Sequence, residues 1–307
     1  MKIIPKQANI PNAYKRNFIK FNNGRDAWHE VIGAYLKQRP NTTIILPSYI
    51  GFSINEGSGI FDPVTQNNAT YQFYSLDENL SICFNNLKDV VNNAENPLVL
   101  LVHYFGFPDS NYLEIANWLI ENDILFIEDA AHAMLTDLIG GICGRKSSYT
   151  IYSLHKILPY TKGGILVNNS TNILQICNST NDALNFFEYD LKTIFDRRRT
   201  NYSVLLELLN DIEEIKIIHP FLKEGICPQT FPIIIKGNNR DNIYFEMNKN
   251  GFGLVSLYHT MIDELVSSDF AAVAYTSKHI INLPIHQDCD SIALNKMVDN
   301  LKLILLN

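Results

Sequence analysis

Cysteine is scarce in this sequence: five residues in 307, and Cys83, Cys143, Cys177, Cys227 and Cys289 never form a C-x-x-C pair. That excludes a zinc ribbon and a disulfide framework and fits a reducing cytoplasm. Positive charge is short as well. Twenty-five Lys and Arg against 32 Asp and Glu leave a net charge of −7, the opposite of a surface built to neutralise nucleic-acid phosphates. Long apolar runs are missing too. The longest, Pro97 to Pro108, is too short to cross a bilayer. Pro5 and Pro11 interrupt the first residues, which lack the apolar centre of a secretory signal. There is no G-x-x-x-x-G-K-[ST] or G-x-G-x-x-G loop, and no two histidines stand four apart beside an acid, as a helical metal site needs. The expectation is a cytoplasmic protein with no nucleic-acid, membrane or metal partner.

What remains is a chain with 46% apolar residues, enough to bury a full core. Its middle alternates strand and helix signals. Thr42–Pro47, Pro97–His103, Ile124–Ile127, Tyr149–Leu154 and Gly164–Val167 are short apolar or β-branched runs. Between the second and third, Leu113, Ala116, Leu119 and Ile120 share one helical face. Strand, helix and strand in this order predict right-handed crossovers and a mainly parallel sheet covered on both faces. From about Asp182 the pattern changes to a long helix reaching Leu209. A strand at Thr230–Lys236, a helix at Asn239–Asn250 and a closing helix at Ser291–Leu306 follow. The expected division is a large α/β unit over 1–190 and a smaller α+β unit over 191–307.

In such sheets ligands sit beyond the carboxyl ends of the strands. One edge would then collect His103, Tyr104, Glu128, Asp129, His132, Ser153, His155 and Lys156. A carboxylate and a lysine at strand ends, with a hydroxyl three residues before the lysine, suit pyridoxal phosphate. The amine of Lys156 would form a Schiff base. Asp129 would keep the pyridine nitrogen protonated, because an adjacent negative charge favours the cation. Ser153 and a helix N-terminus would hold the phosphate. Gly24-Arg25-Asp26, opening a helix with Ala27, Val31 and Tyr35 on its apolar face, supplies that terminus. Plainer readings stand beside these. Asp129 could cap a helix, His132 could be a bonded core histidine, and Phe52 or Tyr49 could be packing rather than rings stacked on a cofactor.

The segment from Val102 to Asn168 resembles the DegT/StrS family of pyridoxal-phosphate-dependent sugar aminotransferases. The matching residues are His103-Tyr104-Phe105-Gly106-Phe107-Pro108, Ile127-Glu128-Asp129-Ala130-Ala131-His132-Ala133, then Lys156 and Gly163-Gly164. Fainter likeness extends to Asn23–Ala27, Ile45–Tyr49, Arg197–Arg199 with Tyr202, and Asn282–His286. The resemblance implies an α/β fold-type-I pyridoxal-phosphate-dependent transferase with the cofactor at a homodimer interface. It implies amino transfer from glutamate to a nucleotide-linked keto sugar, in surface polysaccharide or secondary-metabolite sugar synthesis. Lys156 would be the Schiff-base lysine, Asp129 the pyridinium partner and His132 a neighbour of the ring oxygen. Ser153, Gly24, Arg25 and Asp26 would lie at the phosphate, and Phe52 against the ring.

The sequence also departs from that family. After Gly164 it lacks the glycine-asparagine-tyrosine-arginine segment that crosses the dimer, offering only Asn185-Phe186-Phe187-Glu188-Tyr189. Ile151 stands where the family has a serine five residues before the lysine, so Ser153 must substitute. Lys162 replaces the acid before the double glycine. Arg145, Lys146 and Lys162 are the cations expected near a diphosphate, and Arg197–Arg199 is expected on a solvated or dimer-facing helix surface. Two rival readings are a pyridoxal-phosphate enzyme for a small keto or amino acid, and a non-catalytic binding or regulatory relative.

Overall fold

The computed structural model describes residues 16–170, 174–176, 188–237, 239–266 and 268–306. In chain order the first elements are β1 (Asn17–Phe21), α1 (Gly24–Gln38), β2 (Thr43–Pro47), α2 (Asp62–Gln66), β3 (Thr70–Tyr74), α3 (Phe84–Asn93) and β4 (Pro97–Val102). Then come α4 (Tyr112–Glu121), β5 (Leu125–Asp129), α5 (Met134–Leu138), β6 (Tyr149–Ser153) and β7 (Gly164–Asn168). The remainder is α6 (Leu191–Leu209), β8 (Ile215–Ile217), β9 (Thr230–Ile235), α7 (Arg240–Lys249), α8 (Ala271–His279), β10 (Ile280–Pro284) and α9 (Ser291–Leu305).

The seven strands β1 to β7 form one sheet in the order β1-β7-β6-β5-β4-β2-β3. Strands β2 to β6 run parallel, and β7 runs against both β6 and β1. A strand covered on both faces carries no polar alternation, and β2 and β6 are buried at every position. Asn23 caps α1 by accepting the Asp26 amide at 2.8 Å. Behind it Ala27, Trp28, Val31, Ile32 and Tyr35 form the buried stripe, and the helix lies against β1, β6 and β7. A smaller antiparallel sheet, β10-β9-β8, carries α6 to α9.

Register decides what meets at the sheet edge. Val102 pairs with Asp129, and Asp129 with Ile151, so β4, β5 and β6 end level. The His103 amide continues the ladder by donating to the Asp129 carbonyl at 3.0 Å, and the Ala130 amide to the Ile151 carbonyl at 2.9 Å.

Two expectations change here. The described helix α6 begins at Leu191, capped by Asp190 through the Thr193 amide at 3.0 Å; the residues expected to precede it from 182 to 187 lie outside the described ones. The arginine run is only partly a solvated face: Arg197 is exposed and donates to the Gln287 carbonyl at 3.2 Å. Arg198 is 3% exposed and donates to the Gln287 side chain at 3.1 Å, the Gln229 carbonyl at 2.9 Å and the Ile157 carbonyl at 3.4 Å. Arg199 donates to the carbonyls of Lys223 and Ile226. Carbonyls left over at loop ends need donors when buried, and these guanidiniums supply them.

Candidate active site

Neighbouring residues of a strand face opposite ways, and Glu128 and Asp129 show the consequence. Glu128 is fully buried and accepts from His103 Nε2 at 2.8 Å, the Ser147 amide at 3.2 Å, the Lys146 amide at 3.4 Å and the Gly144 amide at 2.5 Å. Burial pushes its carboxyl upward, but the His103 bond and the amides outweigh this and draw it down to about 2. Cys143 joins His103 and Glu128 within 4.8 Å, a grouping the sequence spacing does not reveal. Because Glu128 is already filled with N–H donors, the cluster reads as a bracket for the 144–147 loop.

Asp129 is different. Its carboxylate accepts from the Ala131 amide at 2.9 Å. Burial raises its carboxyl above the ordinary value, opposed by that amide, His103 and Lys156. A buried carboxylate with so little compensation favours a cation beside it.

Lys156 ends the 3₁₀ turn Leu154–Lys156 that follows β6. Its amine makes no hydrogen bond or ion pair with the described residues. Burial lowers its pKa, while Glu56 and Asp129 pull it back up. Ser153 is 4% exposed and its Oγ lies 3.2 Å from His155 Nδ1. The α1 N-terminus sits directly on this strand end: a Cβ at Gly24 would lie 3.3 Å from Ile151 Cγ2 and 3.8 Å from Ser153 Cβ. Ile151 and Ser153 therefore share the face toward α1, as alternate strand residues must.

Two expected phosphate contacts fall elsewhere. The Asp26 amide is taken by Asn23. The Arg25 guanidinium pairs with Asp62 at 3.4 Å and donates to the Glu56 carbonyl, so its charge pins the 53–62 loop. The amides of Gly24 and Arg25, at the first turn where no intrahelical partner exists, bond no described residue and remain for an anion.

His132 is 5% exposed, and its Nδ1 accepts the Phe105 amide at 3.2 Å. Burial, with Lys156 and His155, holds its pKa well below the usual range. The ring is thus neutral with its proton on Nε2, a donor available to a ligand oxygen. Phe105 and Tyr258, both at positive φ (55° and 61°), pack their rings beside it. Strained non-glycine residues of this kind collect at functional sites.

The sequence reading missed Tyr258 and Glu56. Tyr258 reaches the site from the C-terminal part, packs on Tyr49 and Tyr104, and has its hydroxyl pKa raised by burial and then by Asp129. No local pattern announces it. Glu56 follows an exposed Ile54 in a glycine-flanked loop. Tyr49 is buried in the aromatic cluster, whereas Phe52 is 41% exposed with its amide on the Thr260 carbonyl at 2.9 Å.

Comparison with known proteins bears on this arrangement. The sequence profile of the DegT/DnrJ/EryC1/StrS aminotransferase family matches residues 13–183. The chain belongs to that family. No curated protein matches it in sequence. Among solved structures it is similar to PseC of Helicobacter pylori, an aminotransferase involved in the biosynthesis of pseudoaminic acid. That likeness has a TM-score of 0.78 at 14% identity over 94% of this chain and 86% of that one. Escherichia coli GDP-4-keto-6-deoxy-D-mannose-3-dehydratase with bound hydrated pyridoxal phosphate gives 0.74 at 16% over 93% and 87%. NtdA of Bacillus subtilis with bound pyridoxamine phosphate gives 0.72 at 16% over 95% and 74%. These likenesses carry the fold, a fold-type-I α/β transferase.

The family assignment makes this chain an aminotransferase with pyridoxal phosphate as its cofactor. The donor set fits that group. It offers an amine bonded to none of the described residues, a half-buried carboxylate short of donors, a neutral imidazole N–H and amides at a helix start that bond no described residue. Among the described residues no helix is long and apolar enough to cross a membrane.

Proposed function

We propose that the protein moves an amino group from glutamate to a keto sugar carried on a nucleotide. The observation that supports the reading most is that Asp129, His132, Ser153 and Lys156 gather at level strand ends beside the N-terminus of α1. When bound, the cofactor supplies an aldehyde that captures amines and a ring that draws electrons from the substrate carbon. Lys156 would hold it through its amine and, once released, would serve as the acid and base that move the substrate proton. Burial lowers its pKa, which favours the neutral, nucleophilic form of the amine. Asp129 would keep the pyridine nitrogen protonated, His132 Nε2 would donate to the ring oxygen, and Ser153 with the Gly24 and Arg25 amides would hold the phosphate.

The division into 1–190 and 191–307, the homodimer and a cytoplasmic setting belong to the same proposal, as does a role in polysaccharide or secondary-metabolite sugar synthesis. Arg145 and Lys146 are not free for a diphosphate: Arg145 binds Asp137 at 2.9 Å and Lys146 binds Asn117 at 3.0 Å.

Single-turnover mixing tests the substrate. The visible absorbance of the cofactor-loaded protein should fall with glutamate and with a nucleotide-linked amino sugar. A fall with glutamate and simple amino acids, but with no nucleotide sugar in the panel, would transfer the assignment to a small keto substrate.

A further inference from the structure

The C-terminal part holds a second polar cavity, of about 330 Å³, lined by Gly237, Arg240, Asp241, His259, Lys278 and His279. Three segments converge there. Arg240 opens α7, Lys278 and His279 close α8, and His259 comes from the loop that carries Tyr258.

Arg240 is 5% exposed. Its Nε donates to the Ile280 carbonyl at 2.9 Å, one terminal nitrogen to Asp241 at 2.7 Å and the other to Ser256 Oγ. Three of the five N–H groups of a guanidinium are thereby used, and the ring of Tyr244 lies 5.0 Å away. The arginine is fixed and still has donors to offer. Lys278 is exposed and bonds no described residue. His259 Nδ1 lies 2.9 Å from the Ser256 carbonyl, and His279 Nδ1 lies 2.7 Å from the Tyr275 carbonyl. A carbonyl only accepts, so in both rings Nδ1 carries the hydrogen. Each Nε2 is then bare in the neutral ring and becomes a donor when the ring is protonated. The one acid in the lining, Asp241, is already paired with Arg240.

We propose that this cavity binds a phosphoryl or diphosphate group through Arg240 and Lys278, between the rings of His259 and His279. A fixed guanidinium, a mobile ammonium and two oriented imidazoles match a tetrahedral dianion, whose oxygens accept from several directions at once. A neutral ligand would leave the charge of Lys278 unused, and a cation would be repelled. The group could arrive as inorganic phosphate or as the diphosphate of a nucleotide-linked substrate, since His259 follows Tyr258, whose ring packs beside His132.

Sulfate is the probe, because it stays dianionic from pH 6 to 8. Titrated into the cofactor-loaded protein, it should shift the ring NMR signals of His259 and His279 saturably. The dissociation constant should be about tenfold higher in Lys278→Met and several-fold higher in His279→Ala. Both substitutions lie at the end of α8, outside the machinery around Lys156. Absence of saturable shifts, or binding indifferent to both substitutions, overturns the site. Two competition arms separate the sources. Displacement of sulfate by uridine diphosphate, with a several-fold higher KM for the nucleotide sugar in Lys278→Met, identifies the substrate's diphosphate. Displacement by inorganic phosphate with KM unchanged identifies a free anion. The readout is ligand binding, so this site can fail while the aminotransferase reading stands, and the reverse.

Discussion

Two carboxylates one residue apart, Glu128 and Asp129, face opposite sides of β5 and meet opposite environments. On one side Glu128 is filled by an imidazole and three amides and lies far below its ordinary pKa. On the other, Asp129 has one amide and lies above its ordinary pKa. The nitrogen bases differ in the same sense: His103 is bonded, while the Lys156 amine has no bonded partner among the described residues. Saturated buried charge holds a loop in place, and unsaturated buried charge waits for a ligand. Residue type alone does not separate the two, but the count of protein donors does.

The contrast is sharpest at Lys156. Lys156→Ala should lose at least about 10⁴-fold in turnover, combining loss of the covalent link and of the proton carrier, with a melting temperature close to that of the parent. Borohydride reduction of the parent followed by peptide mapping should place the pyridoxyl group on Lys156. A label on Lys146 or Lys162 instead would show that the site is built elsewhere.

Glu128→Gln should do the reverse. Breaking a buried pair costs about 3–5 kcal/mol of stability, read from denaturant midpoints, while turnover per folded molecule stays near that of the parent. The pH dependence follows from the sign of the shift. The folded value, about 2, lies below the ordinary glutamate value of 4.5. The stabilisation is therefore complete above about pH 4.5 and disappears as pH falls toward 2. The gap between parent and Glu128→Gln should close over that window, and a gap constant down to pH 2 would mean that the carboxylate charge is not what matters.

Asp129→Asn should keep the fold and some cofactor yet lose about 10²–10³-fold in turnover, in the range seen when one preorganised electrostatic contact is removed. If the variant turned over normally, the ring-nitrogen assignment would be wrong. Glu128 could not inherit the role, because its side chain is on the other face and its oxygens are taken.

The same contrast separates what linear pattern carries from what only packing carries. The strands β2, β4, β5, β6 and β7 are short apolar runs whose ends carry the polar residues, so both the sheet and the edge residues Asp129, Ser153 and Lys156 follow from linear pattern. Strand β1, half-polar and on the sheet's edge, and β8, three residues long, leave no such trace. The direction of Arg25 depends on where the 53–62 loop lies, which its sequence does not encode locally. Tyr258 and the Arg240 cavity depend on how distant segments pack. The burial of Arg198 is hidden in linear pattern, because three consecutive arginines look solvated until the carbonyls of Ile157 and Gln229 are seen to need them.

The smallest expected effect concerns the residue that departs from the family at the strand end. Ser153 and Ile151 both face Gly24, so a hydroxyl at either position could serve an anion at the start of α1. A hydrogen bond to a charged group contributes about 1.5–3 kcal/mol, and each 1.4 kcal/mol is tenfold in affinity. Ser153→Ala should therefore raise the dissociation constant for pyridoxal phosphate by about ten- to a hundredfold, measured by absorbance after dialysis. Ile151→Thr keeps the β-branch that packs under α1 while adding a hydroxyl where the family carries its serine. In the Ser153→Ala background it should recover most of the lost affinity. Unchanged affinity in Ser153→Ala would assign the phosphate to the Gly24 and Arg25 amides alone. Loss without recovery in the double variant would mean that only position 153 reaches the anion.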